Sequence, residues 1–278
     1  MKIKVIKIKA SYWLPGTDYI EEIGRSVDKI LLDGDIVTVS EKAISTALGN
    51  IIDESLTQPG LIAKILAKYW MRRLWGGPLG KYAKLRKYTI DRLKKYPFPE
   101  GAAHKQIALE NVGLLQALRH YSEGGIDASN LPFSYVSLPL DDPQFIADSI
   151  RKSLEKKGKK ITTIIVDGDT TYTKGNLHLA PRKVPVDGLV HAGGFLTFLI
   201  GRNREFKARS TPLAISGSSH NPDFVITLAN ISHRVRGHGA GMTVWDMAEK
   251  LGVGITEVTW EMLNMVDHYP IAILRILK

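Results

Sequence analysis

Ile161-Thr162-Thr163-Ile164-Ile165-Val166 runs straight into Asp167-Gly168-Asp169-Thr170. The unbroken β-branched run predicts a buried strand, and the Asp-Gly-Asp behind it reads as the turn that ends it. Just upstream, Asp141-Asp142-Pro143 opens a helix through Leu154, because proline suits a first helical turn and acids suit its positive end. Gly158-Lys159-Lys160 closes that helix. Further back, Tyr19, Ile20, Ile23, Val27, Ile30 and Leu31 recur at helical spacing, and Asp33-Gly34 turns the chain into a short strand, Asp35 to Ser40. The alternation of Lys2 to Lys9 predicts a strand at the start, and Ile271 to Leu274 predicts one at the end. Val112 to Leu118 also reads as a strand. Strands and helices alternating in this way give an α/β (α+β) chain, with mixed sheets flanked by helices. No internal repeat or low-complexity linker divides it, so residues 1–278 are expected to form a single unit.

The 278 residues carry 38 Lys and Arg against 28 Asp and Glu. From Lys64 to Lys95 eleven basic residues face one acid, Asp91, so this window holds the whole excess of ten. A helical basic insertion is expected over 56–100, broken at Gly76-Gly77-Pro78. Its tyrosines and tryptophans would pack on the body of the protein and leave a cationic rim for an anionic ligand. No apolar run is long enough to span a membrane, and the first residues lack the apolar core of a secretory signal. With no cysteine there are no disulfides, thiolate metal sites or cysteine nucleophiles. A cytoplasmic location is the expectation.

Two acidic loops are the candidate chemistry: Asp127 in Gly124-Gly125-Ile126-Asp127-Ala128-Ser129-Asn130, and Asp167 with Asp169. Carboxylates on loops at strand ends hold hard cations, which in turn hold phosphates; the same residues also serve as plain turn formers. Gly237-His238-Gly239-Ala240-Gly241 lacks the Lys-Ser/Thr of a P-loop and reads as a turn before a helix at Val244 to Leu251. His220, His233 and His238 show no paired metal spacing and are neighbours in sequence only. Ser219-His220-Asn221-Pro222 with Asp167-Gly168-Asp169 is similar to the serine and metal loops of phosphohexomutases. The order is reversed, and Thr171 stands where that family has a third Asp, so the match is taken as chance.

Four segments in order carry a stronger likeness: Asp33 to Ser45, Gly125-Ile126-Asp127-Ala128-Ser129-Asn130, Leu138-Pro139-Leu140-Asp141-Asp142-Pro143, and Gly158 to Asp167. Together they resemble the coenzyme F420-0:L-glutamate ligase family, with Gly125 to Asn130 the most specific match. Tyr269 to Arg275 is similar to that family's closing strand. The resemblance implies a gamma-glutamyl-ligase-like fold. It also implies a ligase that uses GTP as co-substrate and Mg2+ or Mn2+ to activate an anionic substrate, which the amine of L-glutamate then attacks. In that picture Asp127 with Asp167 or Asp169 holds the metal, Asn130 contacts the nucleotide, Lys42 and Ser45 line the nucleotide pocket, and the protein is a homodimer. The chain departs from the family at Thr46-Ala47-Leu48-Gly49-Asn50, where the family has Lys-Ala-Glu-Gly-Arg. The contrasting expectation is a non-catalytic relative that binds nucleotide or nucleic acid through 64–95, with the steep salt dependence of phosphate contacts.

Overall fold

The computed structural model describes residues 2–156, 158–203, 205–218 and 220–277; Ser219 lies outside them. Among these residues seven strands form one mixed sheet: β1 (Lys2–Ala10), β2 (Ile36–Ser40), β5 (Thr162–Lys174), β6 (Leu177–Ala180), β7 (Leu189–His191), β8 (Lys207–Ser216) and β9 (His268–Leu277). A separate two-stranded antiparallel sheet pairs β3 (Ile51–Asp53) with β4 (Tyr135–Ser137). The sheet order is β1-β9-β2-β5-β6-β7, with β8 on β5; β2 and β5 run parallel, and β9 lies antiparallel to both β1 and β2.

Both faces of β5 are covered, which explains its continuous apolar run. Ile165 packs with Ile146, Ala147, Ile150 and Leu154 of the helix Pro143–Glu155 and with Ile23 and Val27 of the helix Tyr19–Val27. Ile164 and Val166 face Val225, Leu228 and Ala229 of the helix Pro222–Arg236. The turn before β2 is tied to the last strand by Arg275, whose guanidinium donates to both oxygens of the buried Asp35 at 2.7 Å.

The segment 56–100 is helical over 61–75, 78–82 and 87–94. Leu66–Trp75 winds as a π-helix, whose i→i+5 spacing puts Trp70 and Trp75 on one side. Both indoles donate to the Leu118 carbonyl at 2.8 Å. Met71, Trp75, Leu93 and Tyr96 bury against Tyr172, Leu179 and Phe198, while Tyr69, Tyr82 and Tyr88 stay exposed.

Two sequence expectations are corrected. Val112 to Leu118 contains a short helix, Leu114–Ala117, entered through Gly113 at φ 81°. β5 continues past Asp167 to Lys174, because its pairing with β8 steps from Asp167↔Thr211 to Thr170↔Ser210 and leaves Gly168 and Asp169 in a bulge. No helix among the described residues is long and apolar enough to cross a membrane.

Candidate functional site

The bulge in β5 sends its two carboxylates to different fates. Asp169 is 4% exposed, and its oxygens take a bidentate pair from Arg119 at 2.5 and 2.6 Å. Asp167 faces a cleft of about 250 Å³ with one oxygen, Oδ2, buried and without a hydrogen-bond partner. Arg182 stands 3.6 Å from that oxygen and pairs closely with Glu41. Burial pushes the Asp167 carboxyl up to about 7, and Glu41 pushes the same way against the pull of Arg182.

Lys42, Ser45, Asp127, Asn130, Asp167 and Asp169 all line this one cleft. Asp127 comes from the loop before β4, and its Oδ1 accepts from the Ser129 amide at 2.7 Å. Lys42, in the first turn of the helix Glu41–Ala47 that leaves β2, reaches Asp127 Oδ2 at 2.5 Å and the Ser129 hydroxyl and carbonyl at 2.7 and 2.9 Å. Ser45 donates to the Leu138 carbonyl at 2.9 Å. Asn50, at one of the departures from the family pattern, donates to the Pro139 carbonyl at 3.0 Å.

The glycine-rich loop 237–241 forms another wall. Asn130, itself at φ 56°, accepts from the Ala240 amide at 2.6 Å and donates to the Gly241 carbonyl at 2.9 Å. Gly239 must lack a side chain, since a Cβ there would meet Asn130 Oδ1 at 2.6 Å. Gly125 is equally constrained: at φ 103°, a Cβ would overlap the Arg182 guanidinium.

Sequence reasoning missed Glu41, Arg182 and Arg236, and its expectation that His233 and His238 are neighbours in sequence only is corrected by the fold. His233 and His238 are neighbours in space, with ring centroids 5.4 Å apart. Burial, followed by the nearby Arg236 and His238, drives the His233 imidazole down to about 3, so it stays neutral. Arg236 is lowered to about 10 by burial, with Asp167 opposing. His233 and Arg236 stand on the helix Pro222–Arg236, for which the sequence held two signals, Asn221 as a cap and Pro222 in the first turn.

No group of three or more His, Cys, Asp or Glu side chains forms a metal cage among the described residues. Asp127 and Asp167 nevertheless suit a hard cation of the kind that takes one or two carboxylates and completes its shell with phosphates and water, and the unpartnered Asp167 Oδ2 is the atom such an ion would satisfy.

The family model for F420-0:gamma-glutamyl ligase matches residues 7–189, which include every one of the six sequence-chosen site residues. A relative from Methanocaldococcus jannaschii, the uncharacterized protein MJ1361, is 32% identical over 287 residues, covering 99% of this chain and 97% of its own. With two thirds of its residues under that model and its acidic loops meeting in one cleft, the chain belongs to the F420-0:gamma-glutamyl ligase family.

Proposed function

We propose that the protein is a GTP-dependent ligase that activates an acid and joins it to an amine, working with Mg2+ or Mn2+. The observation that carries this reading is the unpartnered Asp167 Oδ2 in the same cleft as Asp127, Lys42 and the glycine-rich loop. Asp127 and Asp167 would hold the cation, which when bound supplies positive charge against the phosphates. Lys42 adds a fixed charge to the wall beside Asp127. Asn130 holds the glycine loop open toward the cleft, and Ser45 and Asn50 hold the 138–139 turn opposite. Arg119 acts on Asp169 as a positioning residue that keeps the bulge in shape. The amine donor is taken to be L-glutamate, as the family's description suggests, and the homodimer is part of the same reading.

Calorimetry of GTP with Mn2+ tests it. Wild-type protein should bind, and Asp127→Ala should bind at least tenfold more weakly while remaining folded. Equal affinity in the two would end the proposal.

A further inference from the structure

Arg236 is a buried charge without a counter-ion. It ends the helix Pro222–Arg236, is 8% exposed and lines the cleft. Its Nε donates to the Ser232 hydroxyl at 3.3 Å and its Nη1 to the Pro270 carbonyl at 3.5 Å, both long contacts, while Nη2 is buried with no partner. No carboxylate among the described residues forms an ion pair with it; Asp167 attracts it only from beyond that distance and has Arg182 at 3.6 Å. Arginine does not shed its proton in a protein, so a guanidinium left this way is costly until an anion meets it. Lys42, the other Lys or Arg among the described lining residues, is already engaged with Asp127 and Ser129.

A second donor stands in the same part of the cleft. Trp13 is 1% exposed, and its indole Nε1 is also buried with no partner. His268 links the two: its ring centroid lies 6.1 Å from that of Trp13, and the charge of Arg236 acts on its imidazole. Burial lowers His268 to about 4, so it is neutral, and its Nδ1 donates to the Ser11 carbonyl at 2.9 Å. Asp267, also in the lining, pairs with Lys9 at 2.5 Å. Leu263, Val266 and Pro270 add apolar wall.

We propose that Arg236 and Trp13 form a subsite for the carboxylate of a small organic acid. The guanidinium supplies the opposite charge, and the two N–H donors match the two oxygens of a carboxylate. Its hydrocarbon stem would rest on Leu263, Val266 and Pro270. A phosphate has more oxygens than this end has free donors and would leave some of them against apolar wall. Arg236 lies beyond residues 7–189, so the subsite draws on a part of the chain outside the family match. The cleft also holds Asp127 and Asp167, which puts the acid beside the candidate cation site. That this acid is the amine donor rests on the ligase reading; the carboxylate subsite itself does not.

The test follows the indole N–H signals of the full chain by proton–nitrogen NMR, with Trp13 identified by its disappearance in Trp13→Phe. Butyrate, neutral butyramide and inorganic phosphate are the probes, at constant ionic strength without nucleotide or metal. Butyrate should move the Trp13 signal saturably in the low millimolar range, and the other two should bind at least tenfold more weakly. Arg236→Gln should stay folded, since it removes a charge that no carboxylate compensates, and should weaken butyrate at least tenfold. Arg236→Lys, which keeps the charge without the planar fork, should fall between. The comparison of the three probes on wild-type protein decides the matter whether or not the variants fold. No saturable shift, an equal response to butyramide or phosphate, or butyrate binding unchanged in Arg236→Gln would overturn the proposal. A parallel titration with GTP and Mn2+ reads the cation site separately: butyrate binding without nucleotide binding supports the subsite and removes the ligase reading, and nucleotide binding without a butyrate response overturns the subsite alone.

Discussion

Asp167 and Asp169 are two residues apart on one strand, yet they belong to different parts of the molecule. Asp169 is locked in a buried, bidentate pair with Arg119, next to a second buried set in which Lys105 and His104 share Glu123. Asp167 looks into the cleft with an oxygen that accepts no hydrogen bond and has Arg182 3.6 Å away as its counter-charge. A buried carboxylate paired through both oxygens is scaffold, because breaking the pair exposes an uncompensated ion; a carboxylate oxygen that accepts no hydrogen bond in a cleft is poised for a ligand.

The scaffold side should break hardest. Arg119→Ala strands Asp169 in the core and should cost about 3–5 kcal/mol, read as a fall of roughly 10 °C in the melting midpoint. A midpoint within two degrees of wild type, on the order of 1 kcal/mol, would remove the scaffold assignment.

A pH effect comes next. The Glu54 and Glu123 carboxylates, working against burial, raise His104 from 6.5 to about 10. A group raised on folding stabilises fully below its unfolded value and loses that contribution as pH rises through the folded one. Urea midpoints should therefore fall between pH 6.5 and 10, and His104→Gln should be less stable at pH 6.5 with a flatter profile. Parallel profiles would show that His104 is neutral in its pocket.

Asn130→Ala should have a smaller effect, about 2 kcal/mol, from two lost hydrogen bonds and an alanine forced to positive φ. It separates loop support from direct contact: Asn130→Gly keeps the backbone conformation and should recover part of that loss in chemical denaturation.

Legibility in the sequence followed local chemistry. Six β-branched residues announce β5 wherever they occur, and Pro143 with Asp142 marks its helix, where Asp142 caps the Phe145 amide at 2.9 Å. The bulge was hidden because Asp-Gly-Asp has the composition of a turn, and only the register against β8 shows that the strand continues. Val112 to Leu118 is an apolar run too short for periodicity to tell strand from helix, and Gly113 settles it through its positive φ. Asp127 and Asp167 could be picked out as acidic loops, but Glu41 and Arg182 are isolated charges whose meaning exists only once β2 and the 182 region converge. Tyr121 and Trp245 are likewise more than a hundred residues apart before folding brings their rings together.

The most direct test compares Asp167→Asn with wild type by electron paramagnetic resonance of Mn2+ during a GTP titration. The substitution should leave the protein folded, since Oδ2 accepts no hydrogen bond and the charge relieved beside Glu41 offsets the attraction lost to Arg182, 3.6 Å away. The account predicts GTP-dependent immobilisation of Mn2+ by wild-type protein and a loss of at least tenfold in apparent affinity for Asp167→Asn. Identical Mn2+ spectra for the two proteins at every GTP concentration would contradict it.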